Sequence, residues 1–191
     1  MEHEINLTKL TDPLTREDID FRAAQVVKAK DNVWCTILAY KDARVDMKRL
    51  DEAVGALNWQ NAYQRDSKGV LQCGIAIINT LLAAGERWIW KWSNGTPSDF
   101  ESEKGEYSDA FKRAGFMWGI GRQLYDFPAI WIQLNEGDYY EKDGKTRLNS
   151  KFRPNDWLWE ISDDYKSVTA KRKLGGKMIQ VYNSNPYKND K

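Results

Sequence analysis

Three strand-forming segments follow one another without a helix between them, and this series is the feature of the sequence that most restricts its fold. Alternating apolar and polar residues predict strands over 57–65, 70–79 and 87–93. The first two are joined by a short turn that ends in Gly69, where a positive φ is usually needed. The series therefore predicts a β-hairpin followed by a third strand.

The third strand has an unusual composition. Trp88, Trp90 and Trp92 fall on one face by the period of two, and the other face is partly basic, with Arg87 and Lys91. Tryptophans fill a core more often than they stand free as base-stacking platforms. We therefore expect the indole face to be the face on which the sheet packs.

Segments of helical periodicity lie on both sides of these strands. The first is predicted over 43–54, with Asp42 as its N-cap and Gly55 just after its end. The second is long, from about residue 104 to residue 125, and contains three glycines in its second half. A glycine costs about 1 kcal/mol relative to alanine inside a helix, so the three indicate that another backbone approaches closely. They are Gly115, Gly119 and Gly121.

The flanking regions are less regular. Their patterns are shorter, and beyond residue 134 hydrophobic periodicity is weak. The elements predicted there are a helix over about 14–30, strands over 33–40 and 129–134, a polar hairpin around Asp143 and Gly144, and an aromatic segment at Trp157 and Trp159.

The composition is that of a soluble globular protein. Of 191 residues, 41% are hydrophobic and 30% are charged, so a core can form without disulfides or metal. No stretch reaches the roughly 20 apolar residues of a membrane span, and the acidic N-terminus is unlike a secretory signal. We expect a cytoplasmic protein with no membrane partner. Cys35 and Cys73 lie in apolar runs and are expected to be buried thiols, and with His3 as the only histidine no zinc site can be assembled.

The formal net charge of +1 hides an uneven distribution. Six acidic residues stand against two basic ones in residues 1–20, whereas seven basic residues stand against Asp190 alone in residues 166–191. The near-zero total therefore does not exclude a polyanionic partner. For the basic tail, a contact with DNA or a host single-strand-binding protein and a flexible solubilising end are both open.

Motifs of common catalytic sites are missing. The sequence has no GxxxxGK[ST] phosphate loop, no GxGxxG after a strand, no HExxH and no GxSxG. A magnesium site on Asp99 and Glu101 lacks the acid-x-Lys spacing of a nuclease, since Ser102 stands where the acid is needed. Asp143 and Lys145 have that spacing but belong more simply to a turn. The residues favour a binding protein without a cofactor over an enzyme.

Basic residues on several elements are candidates for a groove that binds a phosphate backbone. Each is weak evidence alone, because a basic pair on a helix is more often a solvated face than a binding site. The candidates are Arg87 and Lys91 on the third strand, Lys112 and Arg113 on the long helix, Arg44 at the start of the first helix and Lys68 at the hairpin tip.

Five blocks of sequence, in order along the chain, resemble a known family. They begin at Tyr40 and read YKDARVDMKRLDEAVGALNWQ, CGIAI, ERWIWKWSNG, SDFESEKGEYSDAFKRAGFMWGIGRQLY and AIWIQL. The series resembles the Rad fifty-two/twenty-two family of single-strand annealing proteins, and within it the short phage and prophage members, the Sak-type recombinases. The earlier REDIDFR also resembles their start, so the resemblance covers about residues 13–134.

The resemblance implies a fold and an activity. The implied α+β fold is a β-β-β-α core whose curved antiparallel sheet packs on one long helix, assembled into an oligomeric ring or filament. Family members bind single-stranded DNA in a basic groove and anneal complementary strands without ATP, in homologous recombination and double-strand break repair. For this chain the resemblance implies a homo-oligomer associated with the nucleoid of a bacterial host cell, with 1–165 as the annealing domain and 166–191 as the basic tail.

The resemblance also points to individual residues. The lysine–arginine pair of the family's long helix falls on Lys112 and Arg113, and the arginine that opens the preceding helix falls on or next to Arg44. The basic residue of the first hairpin turn, tied to an outer DNA site, falls near Lys68. Phe116 stands where eukaryotic members have a further arginine. The residues that are candidates to replace that charge are Lys91, Lys104 and Arg122.

Two other functions remain open. A single-strand-binding protein that protects DNA without annealing it needs the same basic groove. A tryptophan-rich sugar- or protein-binding module is disfavoured by the basic helix face and the basic tail. Annealing of complementary oligonucleotides, with and without ATP, separates the annealing protein from the protective one.

Overall fold

The computed structural model describes residues 4–79, 88–96 and 102–185, apart from the side chains of 102–104. The chain divides into two compact units. Unit 1 combines the residues up to Leu14 with Lys41–Arg122, and unit 2 combines Thr15–Tyr40 with the residues from Gln123 onward. Distant parts of the chain therefore build each unit.

The described residues form an α+β fold with antiparallel sheets and two α-helices. In chain order the elements are β1 (Asp20–Ala29), β2 (Asn32–Tyr40), α1 (Ala43–Val54), β3 (Trp59–Arg65), β4 (Leu71–Ile78), β5 (Trp88–Asn94), α2 (Ser102–Met117), β6 (Ile130–Gln133), β7 (Tyr139–Lys142), β8 (Lys145–Leu148), β9 (Leu158–Ile161), β10 (Val168–Leu174) and β11 (Lys177–Asn183). Three of the sheets have three strands, in the orders β1-β2-β6, β3-β4-β5 and β9-β10-β11, and β7 pairs with β8.

Unit 1 is built from the sheet β3-β4-β5 and helix α2, which packs on it. The predicted local signals are confirmed: the carboxylate of Asp42 caps α1, Gly55 ends it with φ 84°, and Gly69 closes the β3–β4 turn with φ 79°. Alternate residues of β4 face α2, and α1 completes the core. The buried cluster includes Leu71, Cys73, Ile75 and Ile77 of β4, Leu50 and Val54 of α1, and Ala110, Phe111 and Ala114 of α2.

The tryptophans of β5 do not pack on α2. Trp92 pairs with Gly74 and Trp90 with Ala76 across the β4–β5 ladder, so their side chains lie on the face opposite Ile75. Trp92 remains 36% exposed, and a Cβ added at Gly74 would lie 2.6 Å from its ring. The expectation of an indole packing face is wrong, because α2 covers the face of β4 that carries the aliphatic side chains.

Helix α2 ends at Met117 and is shorter than the single long helix predicted to residue 125. Gly119 and Gly121 have φ of +99° and +75°, which side chains disfavour, and the chain continues in a 3-10 turn at Arg122–Asp126. These two glycines therefore end the helix. At Gly115 the close neighbour is a side chain and not the predicted backbone, since a Cβ there would overlap the carboxylate of Asp46 on α1.

In unit 2, most of the segment predicted as a helix over 14–30 is strand β1. It pairs antiparallel with β2 through a turn in which Lys30 has φ 54°. Phe21 is buried, and its ring stacks on Trp159 with centroids 3.8 Å apart. The helix prediction is wrong because β2 offers a ladder of hydrogen bonds that outweighs a partial helical stripe.

The region predicted as a tail also contributes a sheet to unit 2. β10 pairs antiparallel with β9 and β11, so of the two alternatives left open for the tail, a flexible end does not hold for 168–183. Arg172 is 6% exposed and donates hydrogen bonds to both carboxylate oxygens of Asp138 at 2.8 and 2.6 Å. Its guanidinium also lies over the ring of Trp157. This basic residue is part of the core of unit 2.

Two further expectations concern burial and membranes. Both Cys35 and Cys73 are buried thiols, as predicted, and burial raises the pKa of each to about 11. Neither helix of the described ranges has the length and apolar character that a membrane crossing requires.

Candidate nucleic-acid interface

The last turns of α2 carry the lysine–arginine pair that the sequence analysis places in the DNA groove. Lys112 is half-buried and Arg113 is exposed. Nε of Arg113 donates to Oδ2 of Asp109 at 2.8 Å, and the same oxygen accepts a hydrogen bond from the backbone N–H of Thr96 at 3.0 Å. The Arg113 guanidinium is therefore balanced by a carboxylate one turn earlier, and a phosphate at Arg113 has to compete with Asp109.

Lys91 and Arg122 meet at the C-terminal end of α2. Nζ of Lys91 donates to the carbonyl oxygen of Met117 at 3.0 Å, and Arg122 donates to the same oxygen at 3.0 Å and to that of Phe116 at 2.8 Å. The negative end of the helix dipole lies here, so cations are stabilised. Lys91 also lies 4.3 Å from the ring centre of Trp118. The structure thus brings these two candidates together, as caps of the helix.

A buried ion pair next to the backbone of Lys112 was missed by the sequence analysis. Lys41 is 1% exposed and Asp46 is 0% exposed. Nζ of Lys41 lies 2.5 Å from Oδ1 of Asp46, donates to the carbonyl oxygen of Lys112 at 3.3 Å and lies 4.3 Å from the ring centre of Phe116. The sequence does contain a signal for it: Asp46 lies one turn before Leu50 on the buried stripe of α1, where an aspartate is unexpected.

The charges of this group influence one another. Burial raises the pKa of Asp46 to about 6, against the opposite effects of the positive charges of Lys41 and Lys112. Burial also lowers the pKa of Lys41; Asp46 opposes this shift, and Lys112 adds to it. Oδ2 of Asp46 has no hydrogen-bond partner among the described residues. Lys112 therefore belongs electrostatically to the buried pair.

The remaining candidates are Arg44, Lys68 and Lys104. The side chain of Arg44, in the first turn of α1, is 92% exposed. Lys68 is exposed at the tip of the β3–β4 hairpin, whose end is held to the first half of α2 by Arg65, 2.9 Å from Glu106. The side chain of Lys104 lies outside the described residues. Lys68 is thus at the other end of α2 from Lys91 and Arg122, which fits a separate site.

The arrangement suits an anionic polymer better than a metal ion. Lys112 lies in the last turns of α2, Lys91 and Arg122 bind carbonyl oxygens at its C-terminal end, and α1, which carries Arg44, packs on that helix. Lysine and arginine bind backbone phosphates without regard to base sequence. Among the described residues, no three acidic, histidine or cysteine side chains come together as a metal site.

Comparisons with known proteins show the family of this chain and one relative. A family model described as "Rad52/22 family double-strand break repair protein" matches residues 3–143. The chain is 30% identical over 136 residues to a protein of Deinococcus deserti named single-stranded DNA-binding protein DdrA; the aligned part covers 67% of this chain and 64% of that protein. The chain therefore spans less than two thirds of that relative's length, and no solved structure matches it. Because the family model covers well over half of its residues, the chain belongs to the Rad52/22 family of double-strand break repair proteins.

Proposed function

We propose that this protein binds single-stranded DNA and anneals complementary strands without ATP, in homologous recombination and double-strand break repair. The observation that carries the proposal is the group of cations at the last turns of α2, Lys112, Lys91 and Arg122, in a chain of the Rad52/22 family. Contacts to phosphates accept any base sequence, which an annealing protein needs. The name of the DdrA relative supports the binding step.

The salt dependence of binding tests the site. Lys112→Gln combined with Arg113→Gln is expected to weaken binding to a fluorescent oligonucleotide, measured by anisotropy over a series of salt concentrations. The slope of log affinity against log salt should fall by about 0.7 for each phosphate that the variant no longer neutralises. The matched control is Lys142→Gln with Lys145→Gln, two exposed lysines beside the β7–β8 turn. A double variant on α2 with the wild-type slope would remove Lys112 and Arg113 from the site.

Annealing is tested with two complementary oligonucleotides that carry a donor and an acceptor dye. The protein should raise the rate of energy transfer above the spontaneous rate, and ATP or its enzymatic removal should leave that rate unchanged. A protective protein that binds without annealing is the second candidate, favoured by the name of the DdrA relative. Tight binding with annealing at the spontaneous rate would select this second candidate.

Self-assembly into a homo-oligomeric ring or filament is part of the proposal. It is supported by the face of the β3-β4-β5 sheet opposite α2, where none of the described strand residues is charged although 30% of the chain is. Trp90 and Trp92 stack there with ring centroids 5.4 Å apart. An uncharged aromatic surface is typical of one that another protein surface covers. The residues of this face are Gln60, Ala62 and Gln64 of β3, Gln72, Gly74, Ala76 and Ile78 of β4, and Trp88, Trp90, Trp92 and Asn94 of β5.

Light scattering tests the assembly. At micromolar concentration the mass should exceed the 22.2 kDa of one chain severalfold, and Trp92→Glu should lower it, because a charge cannot be buried cheaply in the interface. Trp131→Glu, at a 44% exposed tryptophan of β6, is the matched control. A wild-type mass of one chain would refute self-assembly.

The phage or prophage setting and a host single-strand-binding protein as partner complete the proposal. Both are supported by the resemblance to Sak-type recombinases, and the partner also by the basic residues after residue 166. Titration calorimetry with a purified bacterial single-strand-binding protein tests the partner. No heat of binding at micromolar concentrations would refute it.

A further inference from the structure

Stability does not explain the buried pair of Lys41 and Asp46. The desolvation of two buried charges costs about as much as their attraction gains, and apolar residues of similar volume often serve a fold equally well. Lys41 is 1% exposed, Asp46 is 0% exposed, and Oδ2 of Asp46 has no hydrogen-bond partner among the described residues. The pair therefore stands where an ordinary core would have apolar side chains.

The contacts of the pair lead to one place on α2. Nζ of Lys41 bridges Oδ1 of Asp46, at 2.5 Å, and the main-chain carbonyl of Lys112, at 3.3 Å. Two glycines make room for it: a Cβ at Gly115 would overlap the Asp46 carboxylate, and a Cβ at Gly121 would lie 2.8 Å from Cδ and Cε of Lys41. The backbone that carries Lys112 is thus fitted around the pair.

The electrostatic interactions of the pair also involve Lys112. Lys41 and Lys112 are the positive charges that act on Asp46, and Asp46 and Lys112 are the charges that act on Lys41. One carboxylate is therefore influenced by the positive charges of two lysines. One of these, Lys41, is buried, and the other, Lys112, is half-buried on the surface where we propose that a phosphate binds.

We propose that Lys41 and Asp46 are positioning residues for single-strand binding, which fix the backbone at Lys112 and couple the binding of a DNA phosphate there to the charge of Asp46. This inference rests on the proposed function. A phosphate at Lys112 is a second anion beside Asp46, so it makes protonation of that carboxylate easier. Binding then takes up a proton, and by linkage the strand binds more tightly as the pH falls.

The pH range follows from burial. Burial holds the pKa of Asp46 at about 6 in the structure, and a bound phosphate raises it further. Affinity is therefore expected to change little above about pH 7.5 and to rise as the pH falls toward about 5.5. Protonation of Asp46 also leaves the positive charge of Lys41 without its counter-charge, which favours the binding of an anion. This effect therefore strengthens DNA binding at lower pH, as the proton uptake does.

The experiment measures affinity for a fluorescent oligo(dT) by anisotropy at constant ionic strength over this pH range. The protein carries His3→Gln, because its one histidine would otherwise titrate in the same range. Binding should tighten about three- to tenfold between pH 7.5 and pH 5.5, the size of effect expected for one charge at close range in a partly solvated site. Adding Lys112→Gln should flatten the profile. A flat profile without that substitution, or an unchanged one with it, would overturn the inference.

A variant with neutral side chains at both positions of the buried pair tests whether the pair acts on DNA binding or only stabilises the fold. Lys41→Met keeps the stem of the side chain, and Asp46→Asn fits the space beside Gly115. This double variant should remain folded by circular dichroism, bind severalfold more weakly with a flat pH profile, and weaken little further when Lys112→Gln is added. A folded neutral pair with the wild-type pH profile and the full Lys112→Gln effect would show a merely structural role.

The possible failures are distinguishable. If the double variant does not fold, the inference is tested by the pH profiles of the His3→Gln protein with and without Lys112→Gln, because both of these proteins keep the Lys41–Asp46 pair. If the His3→Gln protein binds no single-stranded DNA at any pH, the proposed function is refuted together with this inference. If it binds without pH coupling, the proposed function stands and the inference is refuted.

Discussion

Gly115→Ala is expected to destabilise unit 1, although alanine is the better helix former. Inside a helix alanine gains about 1 kcal/mol over glycine. A methyl group at this position, however, would overlap the carboxylate of Asp46, which is fully buried and paired with Lys41. Displacing it leaves the Lys41 ammonium without its partner, and breaking a buried pair costs about 3–5 kcal/mol. The difference predicts a loss of about 2–4 kcal/mol in the free energy of unfolding.

Urea unfolding followed by circular dichroism measures this loss. Ser108→Ala on the same helix is the control for helix propensity and should be neutral or gain up to about 0.5 kcal/mol. In a Lys41→Met, Asp46→Ala background the methyl group of Gly115→Ala has room, so the sign should reverse to a gain of about 1 kcal/mol. If Gly115→Ala alone is as stable as the wild type, the close contact between α1 and α2 is refuted.

Three further predictions concern other parts of the fold. Gly74→Ala should cost about 1–2 kcal/mol through overpacking and shift tryptophan emission to the red, because its methyl group would displace the ring of Trp92; unchanged emission would contradict this. Cys35 and Cys73, whose pKa burial raises to about 11, should both resist a thiol reagent at pH 8 until urea is added; labelling of the native protein would show that they are accessible. Arg172→Lys should destabilise unit 2 by about 2–4 kcal/mol, because lysine cannot form the two parallel hydrogen bonds to the partner carboxylate; wild-type stability would show that the pairing contributes nothing.

The parts of the fold that the sequence predicts correctly depend on local chemistry. Asp42 and Gly55 mark the two ends of α1 because an N-cap carboxylate and a positive φ act within one turn. Gly69 marks the β3–β4 turn for the same reason. The order of strands and helices in unit 1 follows from such signals, and the strand ends differ from prediction by one or two residues.

The wrong predictions concern elements whose structure depends on contacts with residues that are distant in the sequence. Alternation shows that the tryptophans of β5 share one face of the sheet, but it does not show which face α2 covers. Helix α2 covers the opposite face, because Ile75 of β4 packs in the buried cluster on that side. β1 is a strand because β2 pairs with it, and 168–183 are ordered because β9 lies beside them. None of these partners is visible in the local hydrophobic pattern of the segment itself.

Several cations at the end of α2 already interact with other groups of the protein, so a phosphate gains less binding energy from them than their number suggests. Lys91 and Arg122 already bind main-chain carbonyls, and Arg113 is 2.8 Å from Asp109. A phosphate at Arg113 must replace that carboxylate, so the net gain is the difference between two similar interactions.

Arg44 has no such close competitor, since its side chain is 92% exposed and Nε lies 3.7 Å from the nearest paired carboxylate, that of Asp42. Arg44→Gln is therefore expected to weaken single-strand binding and lower the salt slope more than Arg113→Gln does, although Arg113 lies beside Lys112 in the sequence. Anisotropy titrations of the two single variants over the same salt series decide the order. The reverse order would show that Asp109 releases Arg113 when DNA binds, and that the ion pair seen on α2 belongs to the protein without its strand.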